Sequence, residues 1–253
     1  MNAIELGRVF ADDEVAALYQ YRAPYPQGIF AILERLVVEP RSVLDAGAGT
    51  GALARRLPPS IERIDAVDPS AAMISRGRSL HGGENPRIRW ILGRAEDAPL
   101  SPPYGLITAG ASLHWMQLDI ALPRFRDALA PGARLAIADT ETTHSGEWRP
   151  EMLDIIRRYS PIDDHLETPE FVSQAARRGL LVLEGEERTA PELFDQSIDD
   201  YLRLLGSTST FSRVTLGPRA AAFEAECRDL FARHRMTRIR SSVAGYVAWS
   251  ALT

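Results

Sequence analysis

Short apolar runs alternate with stretches of helical periodicity along the first part of the chain. Apolar runs separated by helices are typical of a parallel sheet covered on both faces. The pattern therefore predicts an α/β fold with a doubly wound, mostly parallel sheet. The runs predicted as strands are RSVLDAG (41–47), RIDAVDP (63–69), RIRWILGRAE (87–96), GLITAGASLH (105–114) and ARLAIADT (133–140). The predicted connecting helices include ALARRL (52–57), SAAMISRGRSL (70–80) and LDIALPRFRDALAPG (118–132).

The segments that flank these strands have a different character. Residues 1–39 read as helices interrupted at Pro24 and Pro26, where the fixed φ and the missing N–H stop a helix. They are predicted to form an N-terminal helical lid on a core of residues 40–140. Polar, aromatic and proline residues over 141–182 predict a helical insertion after the fifth strand, which would act as a substrate lid. Residues 183–253 are expected to complete the sheet, with strand-like LVLEGEERT (181–189) and SVAGYVAWSAL (242–252) around two helices.

A glycine-rich turn carries the clearest functional signal. Gly47, Gly49 and Gly51 follow the first strand, where glycine allows a sharp turn and a close approach of a ligand to the backbone. Asp68 ends the second strand about twenty residues later, the spacing at which an acid accepts hydrogen bonds from a ribose. Together the turn and the acid predict an adenosine-type ligand.

The turn by itself leaves two classes of ligand open. Gly47, Gly49 and Ala52 satisfy the dinucleotide pattern G-x-G-x-x-G/A, so an NAD(P)-dependent oxidoreductase is one alternative. Asp45 precedes the first glycine and no basic residue lies in the turn, which favours a sulfonium ligand over a diphosphate. The chain also contains no lysine, which excludes a Tyr-x-x-x-Lys relay and Schiff-base chemistry. A non-catalytic binding protein is the third alternative.

Several motifs stand in the order found in one enzyme family. VLDAGAGTG, AVDPSAAM, GRAEDAPL, ASLHWM and LAPGARLAIAD resemble the successive motifs of class I S-adenosylmethionine (SAM)-dependent methyltransferases. The segment YRAPYP is similar to the small-molecule branch that contains trans-aconitate and ubiquinone/menaquinone methyltransferases. The resemblance implies a Rossmann-like fold, an enzyme of the EC 2.1.1 type, and SAM as cofactor with S-adenosylhomocysteine (SAH) as product. The chain departs from the family pattern at Tyr104-Gly105 and at Pro131-Gly132-Ala133.

The resemblance also assigns the cofactor site residue by residue. It places one set of residues around the methionine and ribose portions of the cofactor and a second set at its ribose hydroxyls and adenine. A third set would close over the methionine end of the cofactor. Arg22 would bind the cofactor carboxylate, although an exposed arginine on a helix is the alternative explanation. The assigned residues are Asp45, Ala46, Gly47, Gly49 and Ala111; Asp68, Pro69, Met73 and Glu96 or Asp97; and Tyr21 and Arg22.

The chemistry that this family performs needs few protein groups. His114 follows the fourth strand and is the candidate general base, with a packing pair of His114 and Trp115 as the alternative. His144 and His165 are weaker candidates. The histidines and the lone Cys227 show no spacing typical of metal ligands, so no metal is expected.

The predicted lids supply the candidate substrate residues. Trp115, Trp148 and Tyr201 would line a pocket for an organic acceptor, although each could equally form the core of a lid. Arginines in the insertion would instead suit a polycarboxylate acceptor. These arginines are Arg149, Arg157 and Arg158.

Composition and charge narrow the range of partners. Hydrophobic residues at 45% and charged residues at 25% are ordinary values, which argue against disordered and fibrous proteins. The net charge of −5 argues against nucleic acid or an anionic membrane as the main partner. A single cysteine and the absence of a signal-like N-terminus predict a cytoplasmic protein. We expect a small-molecule acceptor as partner, and a monomer or homodimer.

Overall fold

The computed structural model describes residues 7–161 and 166–253, which form two compact units. The sheet unit comprises Pro24–Glu141, Leu166–Ala190 and Ala244–Thr253. The helical unit comprises Pro191–Val243 with the described parts of Met1–Ala23 and Thr142–His165. These boundaries differ from those expected at residues 39, 140 and 182, because each unit is assembled from separate stretches of the chain.

The elements follow the predicted alternation of strands and helices. The strands are β1 (Ser42–Ala46), β2 (Arg63–Asp68), β3 (Ile88–Leu92), β4 (Leu106–Gly110), β5 (Leu135–His144), β6 (Leu181–Arg188), β7 (Glu192–Ser197) and β8 (Arg238–Leu252). The α-helices are α1 (Asp13–Leu18), α2 (Gln27–Leu36), α3 (Ala71–Ser79), α4 (Leu118–Ala128), α5 (Arg149–Tyr159), α6 (Thr168–Arg177), α7 (Ile198–Gly206), α8 (Arg213–Leu216) and α9 (Ala220–Arg233). Short 3-10 turns span Arg8–Ala11, Tyr19–Tyr21, Ala54–Arg56, Leu113–Trp115 and Gly217–Arg219.

The sheet confirms the doubly wound, mostly parallel prediction. Its strand order is β3-β2-β1-β4-β5-β8-β6, and the pairs from β3 to β5 are parallel. The last pair, β6 with β8, is antiparallel. The chain runs outward from β1 to β3 and then returns to β4 on the other side of β1. Ligands of such sheets bind where the strand order reverses, which here is the carboxyl edge between β1 and β4.

Apolar cores cover both faces of the sheet unit. Successive residues of a strand point to opposite faces, and accordingly Val43 and Leu44 belong to different buried clusters. Helix α2 buries Ile29, Phe30 and Leu33 in the cluster that contains Val43. The spacing of these residues places them on one side of a helix, so α2 packs as part of the core of this unit.

One predicted helix and one strand differ from the expectation. The stretch 52–57 was expected to be helical but forms only the short turn Ala54–Arg56, because Pro58 and Pro59 follow at once. Strand β7 had no local signal, since only Gln196 among its six residues is buried and the strand exists through antiparallel pairing with the first part of β8. In that pairing the guanidinium of Arg238 donates to the carboxylate of Asp195 over 2.8 Å.

The helical unit has an aromatic core of its own. Trp148, Tyr201 and Phe231 pack edge to face, with ring centroids 5.6–6.4 Å apart. The buried residues come mainly from α5, α7 and α9. Across the described parts of both units, no helix has the length and apolar composition needed to cross a membrane.

Candidate active site

The glycine turn between β1 and Ala54–Arg56 requires its glycines for two different reasons. Gly47, Gly49 and Gly51 have φ values of 68°, 56° and 71°, in the left-handed region that favours glycine. A Cβ on Gly47 would lie 2.6 Å from the Cβ of Ser112, so packing also excludes a side chain there. A Cβ on Gly49 would meet no atom of the described residues within 4 Å. Gly49 therefore presents its backbone to a space that a ligand can enter.

Asp68 is joined directly to this turn. One carboxylate oxygen of Asp68 accepts from the backbone N–H of Gly49 over 2.7 Å, and the other accepts from the N–H of Ser70 over 2.8 Å. Burial raises the pKa of Asp68, and these two hydrogen bonds act in the opposite direction. Each oxygen retains a second lone pair, which can accept a hydroxyl of a ribose. The predicted partners Gly49 and Asp68 are thus brought together.

Asp45 is buried, and its hydrogen bonds hold the glycine turn in place. The carboxylate is only 1% exposed and accepts from the hydroxyl of Thr108 over 2.9 Å and from the backbone N–H of Ala54 over 3.2 Å. Burial raises its pKa to about 6, although both hydrogen bonds favour the charged form. Because the carboxylate is buried, its predicted attraction for a sulfonium ligand would act without direct contact. Its direct role in this structure is to hold the glycine turn.

The burial of Asp45 predicts that Asp45→Asn changes the stability of the protein by an amount that depends on pH. The folded-state pKa of Asp45 lies above the ordinary value of 3.8, so its contribution to stability is complete below pH 3.8 and is lost as the pH rises through about 6. The amide of the variant carries no charge at any of these pH values. The free energy of unfolding of the variant, relative to that of the wild type, should therefore increase with rising pH, by up to about 3 kcal/mol. Urea unfolding at about pH 4, 5, 6 and 7 measures the difference. A difference that stays constant with pH would contradict the expectation.

The carboxyl end of β4 forms the other side of the edge. Ala111 has a φ of 48° although it is not a glycine, and its N–H donates to Ala138 on β5. Such backbone strain is maintained where the surrounding structure fixes it and is common at functional sites. The hydroxyl of Ser112 donates to the carbonyl of Ala46 over 2.7 Å and so links β4 to the start of the turn. Sequence reasoning missed Ser112, since nothing local distinguishes it from other small polar residues.

The acidic step after β3 is tied to the helix that follows β4. Glu96 accepts from the backbone N–H of Gln117 at the start of α4 over 2.8 Å, and it forms an ion pair with Arg94. Burial acts to raise the pKa of Glu96, but hydrogen bonds from Arg94 and Gln117 outweigh it, and the pKa is lowered. Asp97 is exposed, whereas Met73 is only 2% exposed and packs in the core.

His114 lies just beyond the carboxyl end of β4 in a group of rings. Its imidazole is partly buried, with the centroid 4.3 Å from that of Trp115 and 6.2 Å from that of Phe171 on α6. The start of α6 is fixed to the end of the sheet, because the hydroxyl of Thr168 donates to Asp139. The geometry is compatible both with a base that faces an acceptor and with a packing pair.

Comparison with known proteins shows what this part of the chain is similar to. A model described as a methyltransferase domain matches residues 43–132, which include β1 to β4 and the glycine turn. Residues 43–132 are therefore similar to a methyltransferase domain. The uncharacterized methyltransferase Rv3342 of Mycobacterium tuberculosis is 33% identical over 161 residues, which are 62% of this chain. The match spans 63% of Rv3342, less than two thirds of its length.

Solved structures with this fold extend beyond one reaction. A protein of Anaeromyxobacter dehalogenans assigned as a type II methyltransferase superposes with a TM-score of 0.63 at 24% identity, covering 90% of this chain and 96% of its own. The 4+2 cyclase SpnF superposes with a TM-score of 0.57 at 15% identity, covering 100% of this chain and 98% of its own. At these identities the likeness concerns the fold alone.

Two predicted cofactor residues belong to the helical unit and not to the sheet unit. Arg22 donates to the hydroxyl of Ser207 over 2.9 Å and to its carbonyl over 2.8 Å, at the end of α7. Tyr21 lies beneath the guanidinium of Arg203. Binding of a cofactor carboxylate by Arg22 would have to replace these bonds, so the assignment stays a prediction.

The predicted substrate residues are divided between the units. Trp115 lies beside His114 in the sheet unit, whereas Trp148 and Tyr201 are 5% and 4% exposed in the aromatic core of the helical unit. His144 lies against both of these rings and forms a hydrogen bond with Ser241, and burial lowers the pKa of His144. His165 lies outside the described residues.

The arginines considered for a polycarboxylate acceptor lie in the helical unit. Arg157 pairs with Asp154 over 3.1 Å, and Arg158 pairs with Glu226 over 2.6 Å. An acceptor carboxylate would have to compete with these acids. Arg149 is exposed at the start of α5.

Proposed function

We propose that the protein transfers a methyl group from SAM to an O, N or C nucleophile of a small-molecule metabolite, leaving SAH. The observation that carries the proposal is the Asp68 carboxylate bound to the Gly49 N–H at the β1/β4 edge of a methyltransferase domain. This arrangement combines an acceptor for ribose hydroxyls with a backbone that a ligand can approach closely.

The residues of the sheet unit fit such a cofactor. Asp68 would accept the ribose hydroxyls, while the exposed Pro69 and the backbone of Gly47 and Gly49 would border the ligand. Glu96 or the exposed Asp97 would accept from the adenine amino group. When bound, the cofactor would supply an electrophilic methyl group on a sulfonium. Ala46 contributes through its carbonyl, which orients Ser112 beside the strained Ala111.

Titration with three ligands tests the cofactor assignment. We expect SAH to bind the purified protein with micromolar affinity in a calorimeter, while NAD and NADP give no heat of binding. Binding of a nicotinamide without SAH would overturn the proposal in favour of an oxidoreductase. Binding of SAH without turnover in a broad acceptor screen would instead favour a binding protein that keeps the fold of the enzymes.

His114 is proposed as the general base for acceptors that must lose a proton. A ring nitrogen of His114 would take the proton from the acceptor, while the aromatic rings of Trp115 and Phe171 would exclude water from that proton. Alignment of acceptor and methyl group would supply most of the remaining acceleration, about 7–11 kcal/mol in well-oriented reactions.

Replacement of His114 tests whether this residue acts as the general base. We expect His114→Asn to lower kcat by about 10²- to 10⁴-fold with SAH affinity nearly unchanged. The acidic limb of the pH–rate profile should also disappear. Phe171→Leu is the matched control, because it disturbs the same ring cluster and leaves the imidazole in place. A loss of less than tenfold in His114→Asn, or an equal loss in both variants, would assign His114 to packing.

A further inference from the structure

The indole of Trp90 lies between the glycine turn and helix α3. Trp90 is the middle residue of β3, which stands at one end of the strand order. A Cβ built on Gly51 of the turn would lie 2.5 Å from Cη2 of the indole, and a Cβ built on Gly77 of α3 would lie 2.6 Å from the same atom. The outer ring of Trp90 therefore contacts the turn on one side and the helix on the other, and leaves room for a side chain at neither position.

The position of this indole is fixed by its polar end as well as by packing. Nε1 of Trp90 donates to the carbonyl of Gly83 over 3.0 Å, in the loop that follows α3. A buried indole N–H usually has such an acceptor, and the bond here sets the orientation of the ring. The ring also packs against the apolar cluster that contains Val43 and Leu53. Trp90 therefore connects β3, the loop after α3 and the glycine turn.

Hydrogen bonds connect the same helix and loop to the turn. Nε of Arg55, a few residues after the glycines, donates to the carbonyl of Thr50 over 2.8 Å, and its Nη1 donates to the carbonyl of His81 over 2.7 Å. A Cβ built on Gly77 would also lie 2.8 Å from the carbonyl oxygen of Thr50. The Thr50 end of the turn is therefore supported by α3 and the loop after it, whereas Gly49 lies beside open space.

The supported end of the turn is bonded to the part that a ligand would meet. Gly51 donates its N–H to the carbonyl of Ala48 over 2.8 Å, and Gly49, between these two residues, donates to Asp68 over 2.7 Å. Hydrogen bonds weaken steeply when their geometry is disturbed. A displacement of Gly51 would therefore change the alignment of the Gly49 N–H with the Asp68 carboxylate.

We propose that Trp90 is a positioning residue for the cofactor, an inference that rests on the proposed function. Its indole acts through Gly51, because it occupies the space into which the back of the turn could otherwise move. The turn is thereby kept in the geometry that joins Gly49 to Asp68. The affinity for the cofactor thus depends on a side chain of β3 that supports the turn from the side of α3.

Calorimetric titration of the full chain with SAH compares Trp90→Phe with a matched control. Phenylalanine keeps an aromatic ring in the apolar cluster, but it does not extend to the position of Cη2 and has no N–H for Gly83. We expect the Kd of SAH to rise about three- to tenfold, which corresponds to one weakened hydrogen bond. Trp249→Phe is the control, since Trp249 packs against the same apolar cluster with its ring beside Gly185. Its Kd should stay within twofold of the wild type, and an equal rise in both variants would overturn the inference.

A double-mutant cycle separates positioning from a general effect on stability. Gly51→Ala should weaken the binding of SAH for two reasons, the strain of a φ of 71° and the collision of its Cβ with the indole. The strain is the same in both backgrounds, whereas Trp90→Phe removes the collision. We therefore expect Gly51→Ala to raise the Kd by a factor at least about threefold smaller in the Trp90→Phe background than in the wild type. Additive effects on the Kd would overturn the inference, because they would assign Trp90 to stability alone.

Gly77→Ala tests the same contact from the helix. Alanine has the higher helix propensity, but its Cβ would meet both Cη2 of Trp90 and the carbonyl oxygen of Thr50, so the Kd of SAH should again rise. If neither Gly77→Ala nor Trp90→Phe shows a cooperative thermal transition, the contact serves the fold and the inference is overturned. A wild type that binds no SAH would overturn the proposed function itself. A wild type that binds SAH, with an unchanged Kd in both variants, would overturn the role of Trp90 alone.

Discussion

Asp68→Ala is expected to weaken the binding of SAH by at least about 100-fold. The substitution removes a charged acceptor for ribose hydroxyls, and hydrogen bonds to charged groups each contribute about 1.5–3 kcal/mol. It also releases the N–H of Gly49 and the N–H of Ser70, which the carboxylate now accepts. The loss should therefore combine missing ligand contacts with a less ordered turn. Calorimetric titration with SAH measures the affinity, and thermal unfolding measures the accompanying change in stability.

Ser70→Ala separates these two contributions. The hydroxyl of Ser70 accepts from the N–H of Met73 and so caps α3 directly beside Asp68. Its removal should cost about 1 kcal/mol of stability while leaving the carboxylate in place. We expect SAH affinity within a few-fold of the wild type. A large loss of affinity in Ser70→Ala would mean that order in the loop, and not the Asp68 acceptor, determines binding. Retained affinity in Asp68→Ala would contradict the whole assignment.

Gly105→Ala is expected to destabilise the fold by about 3–5 kcal/mol. A Cβ at this position would lie 2.0 Å from the carbonyl oxygen of Val38 and 2.3 Å from that of Pro40. Neither atom can rotate away, since both belong to the backbone, and Gly105 is itself hydrogen-bonded to Val38 and to Ser42. Urea unfolding measures the loss as a lower midpoint. This packing explains why position 105 requires a glycine.

The same substitution at Gly206 is the matched control. Gly206 ends α7, and the nearest atom to an added Cβ is a methyl group of Leu18 at 3.2 Å, at the tip of a flexible side chain. Alanine also has the higher helix propensity, so the change should stay within about 1 kcal/mol of the wild type. An equally large loss in both variants would show that backbone contact at Gly105 is not the cause.

Local signals account for what the sequence predicted correctly in the sheet. Parallel strands buried on both faces need continuous apolar runs, and the five runs between residues 41 and 140 became β1 to β5. Strand β7 lacks such a run, because it depends on pairing with residues far away in the chain. Stretch 52–57 shows the reverse case, since a helical composition was overridden by the prolines that follow.

The candidate site shows the same division between local and long-range information. Gly47 and Asp68 belong to one local strand–turn–strand unit, so the sequence could bring these residues together. The burial of Asp45 against Thr108 depends on how β1 and β4 pair, and no residue near Asp45 reveals it. Likewise, the sequence showed aromatic residues at Trp148 and Tyr201, but only tertiary packing placed them in a core of the helical unit.

The sequence by itself determined the succession of β1 to β5 along the chain, the glycine turn and the acid that faces it. Tertiary structure decided which groups meet at the edge between β1 and β4, because those contacts join residues that are distant in the chain. The hydrogen bond from the Ser112 hydroxyl to Ala46 is of this kind. A propensity or a motif reports on neighbours along the chain. A contact between distant elements follows from the summed packing of both cores, and no short segment contains that information.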